Sequence, residues 1–330
     1  MAVLTSYGAY VPQYRAPLGE IQKFYGRPGR PRSRGLATPG LDEDTLTMAY
    51  EAARQALKGE RGLGAVITTT QAPPFELRKM SQTLSRALRL DDGAVNIDLG
   101  ANATGLLDAF RIAQGLDVGP TLVVATDHLV SYRDRVADVL SAGAATAFVI
   151  DPGKKAEGIA TLGPQSRASE EVFDVWMLGR EQEPRFRLEV LFDAYARATG
   201  AAAKGLEKVT ECPTGKYTSI CPSQPHPQVL RGLAKLGVQP KQLENTQFVG
   251  DIGNVGAASS GLALCLGLDA SRKGSTLLAL AYGGGEAVAQ EITVTKKPKS
   301  AGTREMIESG EPIGVGTYYR WTEGRQQQPH

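Results

Sequence analysis

A run of very small residues, Gly250-Asp-Ile-Gly-Asn-Val-Gly-Ala-Ala-Ser-Ser260, leads into an apolar segment of helical spacing, Gly261 to Leu268. The buried-strand pattern Leu277-Leu-Ala-Leu-Ala-Tyr-Gly-Gly-Gly285 follows. Glycine and alanine allow close approach of backbone to backbone or to a ligand, and Asn254 is a lone amide side chain in that turn. The same order occurs earlier: the small-residue turn Gly100-Ala-Asn-Ala-Thr-Gly105, an apolar helix from Leu106 to Gly115, and the strand Thr121-Leu-Val-Val-Ala-Thr-Asp127. A chain that repeats turn, helix and strand, with strands and helices alternating, is expected to build parallel sheets covered by helices. Two such halves facing each other give an α/β sandwich of five layers, two sheets between three layers of helices.

The remaining pattern fits this plan. Val3 to Val11 reads as a strand stopped by Pro12, and Asp42 to Leu57 as a helix with Asp42 or Asp44 as its cap. Ala65 to Gln71 is a strand ending in a Pro-rich loop, with a helix from Leu77 to Leu88 and a strand from Ala94 to Leu99 after it. Ala142 to Ile150 is another buried strand, and Asp151 to Pro184 is expected to be irregular. Helices are expected at Phe186 to Thr199, Ala202 to Glu211 and Val229 to Leu236, and a strand at Glu291 to Thr295. The halves are divided at 1–165 and 166–295, with a tail at 296–330. In that tail Tyr318, Tyr319 and Trp321 each carry about 150–250 Å² of buriable surface, so they pack on their own domain or form a partner interface.

Over 330 residues, 37 Lys and Arg against 35 Asp and Glu argue against a general binder of nucleic acid. The segment Phe24 to Pro39 is locally basic, with Arg27, Arg30, Arg32 and Arg34 among glycines and prolines. It reads as an exposed loop, either merely solvated or placed near phosphates or an acidic partner. No apolar run is long enough to span a bilayer, and the start Met1-Ala-Val-Leu-Thr-Ser has no signal-peptide pattern, so a cytoplasmic location is expected. Cys212, Cys221 and Cys265 are odd in number and lack metal-ligand spacing, which fits a reducing compartment and no structural metal.

The order Gly-Asn-x-x-Ala-Ala-Ser, helix, apolar strand, Gly-Gly-Gly resembles the thiolase superfamily, in particular ketoacyl synthase III and hydroxymethylglutaryl-CoA synthase. The resemblance runs from Tyr7-Gly-Ala-Tyr-Val-Pro12 through Ser141-Ala-Gly-Ala-Ala-Thr-Ala147 to Gly285, and the aromatic-basic tail is similar to that of archaeal hydroxymethylglutaryl-CoA synthases. It implies the five-layer thiolase-like fold, a coenzyme A thioester as ligand, and no other cofactor. It further implies acyl transfer through a cysteine thiolate, with a histidine, an asparagine or glutamate, and backbone N–H donors around the thioester oxygen.

Carried across motif by motif, the cysteine of Asp-Leu-x-Ala-x-Cys-x-Gly falls on Ala103, within Asp98 to Gly105. The histidine of His-Gln-x-Asn falls on Ser223, in Ser223-Gln-Pro-His226. The glutamate of Ser-Glu-Ser-x-Pro-Tyr falls on Gln71, in Thr70-Gln-Ala-Pro-Pro-Phe75. Asn254 matches, as do Gly283 to Gly285, of which Gly284 and Gly285 would border the thioester and the Gly285 N–H would serve the oxyanion.

Four groups are open to two readings each. Cys221 with His226 is a displaced nucleophile and base, or an inert buried thiol beside a helix-start histidine. Thr104 is a weak nucleophile or a helix cap. His128 lines the cavity or is an idle loop residue. Asn102 orients a carbonyl or bonds its own turn. Cys265 is core.

Two functions follow. The first is a non-catalytic scaffold subunit, as a homodimer or paired with a thiolase-like subunit, with a small OB-fold protein as a further partner. The second is an acyl-CoA enzyme without a covalent intermediate, for decarboxylation, hydrolysis or retro-aldol cleavage, since oxyanion stabilisation alone lowers a barrier by several kcal/mol.

Overall fold

The computed structural model describes residues 2–24, 26, 31, 33–60, 62–100, 103–128, 141–153, 157–178 and 185–327, side chains of 323–327 excepted. In the first half the strands are β1 (Val3–Tyr10), β2 (Tyr14–Ala16), β3 (Leu36–Thr38), β4 (Ala65–Thr70), β5 (Val95–Gly100), β6 (Thr121–Asp127) and β7 (Ala144–Asp151). The helices are α1 (Leu18–Phe24), α2 (Thr45–Leu57), α3 (Met80–Ala87) and α4 (Gly105–Gly115). The second half holds β8 (Ala160–Ser169), β9 (Val175–Trp176), β10 (Arg185–Phe186), β11 (Ser219–Pro222), β12 (Thr276–Gly283) and β13 (Glu286–Val294). Its helices are α5 (Leu188–Thr210), α6 (Pro227–Gly232), α7 (Pro240–Leu243), α8 (Val249–Ile252) and α9 (Ser259–Asp269). The tail adds α10 (Thr303–Glu308), β14 (Glu311–Pro312) and α11 (Val315–Gln327).

Among the described residues, nine strands join in the order β11-β12-β13-β8-β1-β7-β6-β4-β5. The join between halves is short, Val3 opposite Thr161 and Leu4 opposite Ala160. On either side of it the pattern repeats: β1-β7-β6-β4 in one half corresponds to β8-β13-β12-β11 in the other, with β5 an extra edge strand. Helices α4 and α9 share the central core, where Leu106, Phe110, Leu262 and Leu266 pack between the sheets. Outside lie α2 and α3 against β4, β6 and β7, and α5 and α6 against β12 and β13. This is the thiolase-like αβαβα sandwich, and α9 is buried on all sides because it is the middle layer.

Several boundaries differ from expectation for identifiable reasons. Residue 165, where the halves are expected to divide, falls inside β8. Within 151–184, expected to be irregular, β8 runs for 10 residues despite Gly163 and Pro164, because these two stand opposite the single residue Glu291 and form a bulge in β8 that the pairing with β13 spans. The two helices expected on either side of residue 200 are one 23-residue helix, α5. Gly200 does not break it: it lies against Leu236, with space for little more than a hydrogen. Asp44, not Asp42, caps α2, in a reciprocal pair with Thr47.

The tail returns to the first half. Tyr318 is buried with Leu18, Ile21 and Leu36, Trp321 meets Tyr14 edge-on at 4.9 Å, and Tyr319 meets Phe24 at 4.9 Å. Of the basic segment, Arg34 Nε stands 3.6 Å from Asp251 Oδ1, while Arg27, Arg30 and Arg32 lie outside the described residues. No described helix is long and apolar enough to cross a membrane.

Candidate active-site cavity

Each small-residue turn delivers its helix N-terminus to the same place. Ala103 precedes α4, the turn Asn254 to Ala258 precedes α9, Gln71 follows β4, Ser223 follows β11, and Gly283 and Gly284 close the β12–β13 hairpin. All of these border one cavity of about 300 Å³, together with Ser259, Pro225, Leu191, Tyr282 and Asp174. Its remaining wall is the β9–β10 pair, through Val175 and Phe186. Ala103, Ser223, Gln71, Asn254 and Gly284, separated by up to 213 positions in the chain, are thus brought together.

Local bonds fix the polar groups. Ser223 Oγ accepts the Tyr282 N–H at 2.9 Å, and the Ser223 carbonyl accepts the Tyr195 hydroxyl at 2.9 Å. The Ser223 O–H is therefore still a donor for the cavity. Asn254 Oδ1 accepts the Gly256 N–H at 3.0 Å and its carbonyl accepts the Ala142 N–H at 2.7 Å, which leaves Nδ2 as a donor. Ser259 Oγ accepts the Gln224 N–H at 2.7 Å.

Other expected site residues lie elsewhere. His226 is fully buried, its Nδ1 accepts the Gln228 N–H at 3.1 Å at the start of α6, and its ring packs on Phe192 at 4.8 Å. Cys221 belongs to the central core on the α9 side of β11, against Gly267, and burial pushes its thiol pKa up. Cys221 faces the central layer from β11, whereas His226 comes after the strand as the cap of α6 and packs on α5, so they form no nucleophile–base pair.

Thr104 is buried and makes no cap bond. Its Oγ1 is 3.0 Å from Asp108 Oδ2 and 3.1 Å from Glu286 Oε2, two carboxylates bridged by Arg167. The Gly285 N–H is engaged by the Tyr282 hydroxyl, and Gly284, at φ 56°, is the turn residue on the cavity. Cys265 is core, as expected, and burial raises its pKa. His128 does not border the cavity; Asn102 is outside the described residues. Among the described residues no group of His, Cys, Asp and Glu has the arrangement of a metal site.

Two residues not identified from the sequence supply the cavity's ionisable pair. Tyr282 O–H donates to Asp174 Oδ2 at 2.6 Å, and Asp174 Oδ1 accepts the Val175 N–H at 2.7 Å. Burial, and next the Asp174 bond, raise the Tyr282 pKa. Behind the cavity, Asp127 at the end of β6 is fully buried and accepts the Ala257 N–H at 2.9 Å. On the outer edge, Asp98 of β5 accepts the Met80 and Ser81 N–H groups at 2.7 and 2.9 Å, so it caps α3. Burial works against its charge, yet the bonds from Ser81, Thr68 and Met80 hold its pKa below the usual carboxylate value.

No family model matches the chain. It is 29% identical over 299 residues to the hydroxymethylglutaryl-CoA synthase of Aeropyrum pernix, covering 86% of this chain and 82% of that one. With the hydroxymethylglutaryl-CoA synthase of Methanocaldococcus jannaschii the identity is 28% over 350 residues, 97% and 98% of the two chains. Among solved structures, an HMG-CoA synthase complexed with CoA superposes with a TM-score of 0.84 at 16% identity, over 97% of this chain and 89% of that one. The priming β-ketosynthase of the R1128 polyketide pathway gives 0.78 at 20% identity, over 91% and 97%. An HMG synthase of curacin biosynthesis, in complex with an apo donor-ACP, gives 0.84 at 14% identity, over 99% and 89%. The chain has the thiolase fold, and it resembles hydroxymethylglutaryl-CoA synthases over nearly its whole length.

Proposed function

We propose that this chain binds an acyl-coenzyme A thioester without becoming acylated, and serves as a non-acylating subunit beside a catalytic thiolase-fold chain. The observation that carries this is the content of the cavity. Its space and its neutral donors are retained, while a methyl group at Ala103 stands where the resemblance places the thiol, and Ser223 and Gln71 stand where it places a base and an acid. A cavity without a nucleophile can still hold a carbonyl through the Asn254 amide and the Ser223 hydroxyl. Calorimetry with acetyl-CoA and longer acyl-CoAs should show saturable binding, and intact mass after incubation should show no adduct. Absence of binding to every acyl-CoA, or an acyl group on Cys221, would overturn this function.

The assembly has its own surface. β5 is the free edge of the sheet, Val95 is 42% exposed, and Ile97 and Leu99 are only half-buried. An unpaired edge with apolar side chains calls for a second chain. A homodimer, or a heterodimer with a thiolase-like subunit, paired through β5 is expected; light scattering that gives a monomer at micromolar concentration would exclude it. A small OB-fold protein as further partner, in the cytoplasm, belongs to the same reading, and recovery of both partners with this chain from its native host is its test.

A second reading is favoured by the Asp174–Tyr282 hydrogen bond, a polar pair at the cavity wall able to orient a carbonyl or a water. The chain would then carry out decarboxylation, hydrolysis or retro-aldol cleavage without a covalent intermediate, and chromatography of bound acyl-CoAs after incubation would reveal the product.

A further inference from the structure

We infer that Asp127 is a positioning residue for the cavity: its carboxylate ties the Gln71 wall of the first half to the Asn254–Ala257 wall of the second, and its charge sets how firmly both are held. This rests on the cavity described above being the ligand site. The geometry is that of a clamp at the crossing of the two halves. Asp127 ends β6, is fully buried, and its carboxylate receives the N–H groups of Ala257, Gln71 and His128 and the Thr70 hydroxyl. Gln71 borders the cavity from one side; Asn254 and Gly256, immediately before Ala257, border it from the other.

The fit at Gly256 shows how closely the second wall is pressed on the carboxylate. A Cβ there would stand 2.2 Å from Asp127 Oδ2, and the residue has φ 51°, so both the contact and the backbone require glycine.

Among the described residues, the groups facing the carboxylate from neighbouring elements are neutral: Thr70 at the end of β4 and Gln71 after it, Ala144 of β7, and Gly256 and Ala257 before α9. Helix α2 turns Met48, Ala49 and Ala52 inward, while its Glu51 and Arg54 pair with each other outside. On α4, Asp108 is paired with Arg167. The adjacent titratable side chain is His128, which follows Asp127 directly.

Burial pushes Asp127 up to about 7, against the opposing effect of its hydrogen bonds. Above that pH the bonds to Ala257 and Gln71 are charge-assisted and roughly twice as strong as neutral ones. Below it, the carboxyl proton enters a place where four donors converge. The Thr70 hydroxyl can rotate to accept it, but an amide cannot, so the backbone bonds weaken. The fold responds with opposite sign. Because the folded-state pKa lies above the ordinary carboxylate value, the stability contributed by Asp127 is complete at acid pH and is lost as pH rises through about 7. The cavity walls therefore firm up over the interval in which this group ceases to favour folding.

The test is hydrogen exchange of the full chain at pH 6 and pH 8, with rates divided by the intrinsic rate to give protection factors. In the natural sequence, protection of the Gln71 and Ala257 amides should rise about tenfold between the two, more than that of amides in β12. In Asp127→Asn, which keeps the shape and one acceptor oxygen, that excess should vanish; in His128→Gln it should persist. No excess in the natural sequence, its survival in Asp127→Asn, or its loss in His128→Gln would each overturn the clamp. Should Asp127→Asn fail to fold, the profile of the natural sequence decides. Acetyl-CoA affinity measured alongside should tighten by about tenfold over the same interval; unaltered exchange behaviour with no acetyl-CoA binding at either pH would refute the ligand and leave the clamp standing.

Discussion

Ala103→Cys should slowly take an acetyl group from acetyl-CoA, up to one per chain, where the natural sequence is expected to take none. Ala103 borders the cavity and lies two residues before α4, an 11-residue helix, so the new thiol would face that helix's unpaired N–H groups. The helix dipole favours an anion there by about 0.3–1 kcal/mol, which promotes the thiolate. The structure also supplies the opposing effect: beneath this position Asp108 and Glu286 bear two negative charges and Arg167 one positive. A net negative charge next door raises a thiol's pKa by an amount of the same order as the dipole lowers it. Acylation should therefore occur but be slow, and neutralising one carboxylate by Glu286→Gln in the same chain should accelerate it. Intact mass against time checks both. A folded Ala103→Cys that binds acetyl-CoA and gains no mass over long incubation would show that position 103 is not aligned with the bound thioester.

The features legible in the sequence were those carried by short-range pattern. The two small-residue turns, the apolar helices behind them and the strands after them fixed the pseudo-symmetric halves, because close packing at the middle layer demands small residues at both helix starts. Position matching within those turns and loops found Ala103, Ser223, Gln71 and Asn254, which do border one cavity. What escaped depends on partners distant in the chain. Tyr282 and Asp174 are 108 positions apart; Tyr282 sits in the strand before the triple glycine, but nothing local marks Asp174 as its partner. Asp127 reads as a polar strand end until the second half is folded over it. β8 is hidden because Gly163 and Pro164 signal a break locally, and only pairing with β13 turns that break into a bulge within a continuous strand. Of the glycines in the β12–β13 turn, Gly283 and Gly284 border the cavity, and which members of so tight a turn do so depends on the facing wall, not on the motif.

Turnover to a condensed product from acetyl-CoA and an acceptor acyl-CoA should require Ser223→His and Gln71→Glu in addition to Ala103→Cys. Proton transfer by a positioned group contributes typically about 10²–10⁴-fold, so the triple variant should exceed the single one by that range. The two added groups meet different obstacles. At Ser223 the imidazole replaces a hydroxyl that accepts the Tyr282 N–H at 2.9 Å, so one ring nitrogen must take over that bond or a buried donor is stranded, at a cost of about 1–3 kcal/mol. The ring otherwise projects into the open volume between Asn254 and Tyr282.

At Gln71 the obstacle is electrostatic and works in favour of the chemistry. The backbone N–H of that residue is bound to Asp127, itself held at about 7, so a carboxyl introduced there sits beside a second carboxylate in a half-buried wall. Like charge and burial both raise its pKa, which suits a proton donor working near neutrality. The rate of the triple variant should therefore fall toward alkaline pH, as that donor loses its proton at a pH above the ordinary carboxylate range. Product formation followed by chromatography between pH 6 and 9 tests this, and a rate that keeps rising to pH 9 would show that the carboxyl at position 71 is not the proton donor.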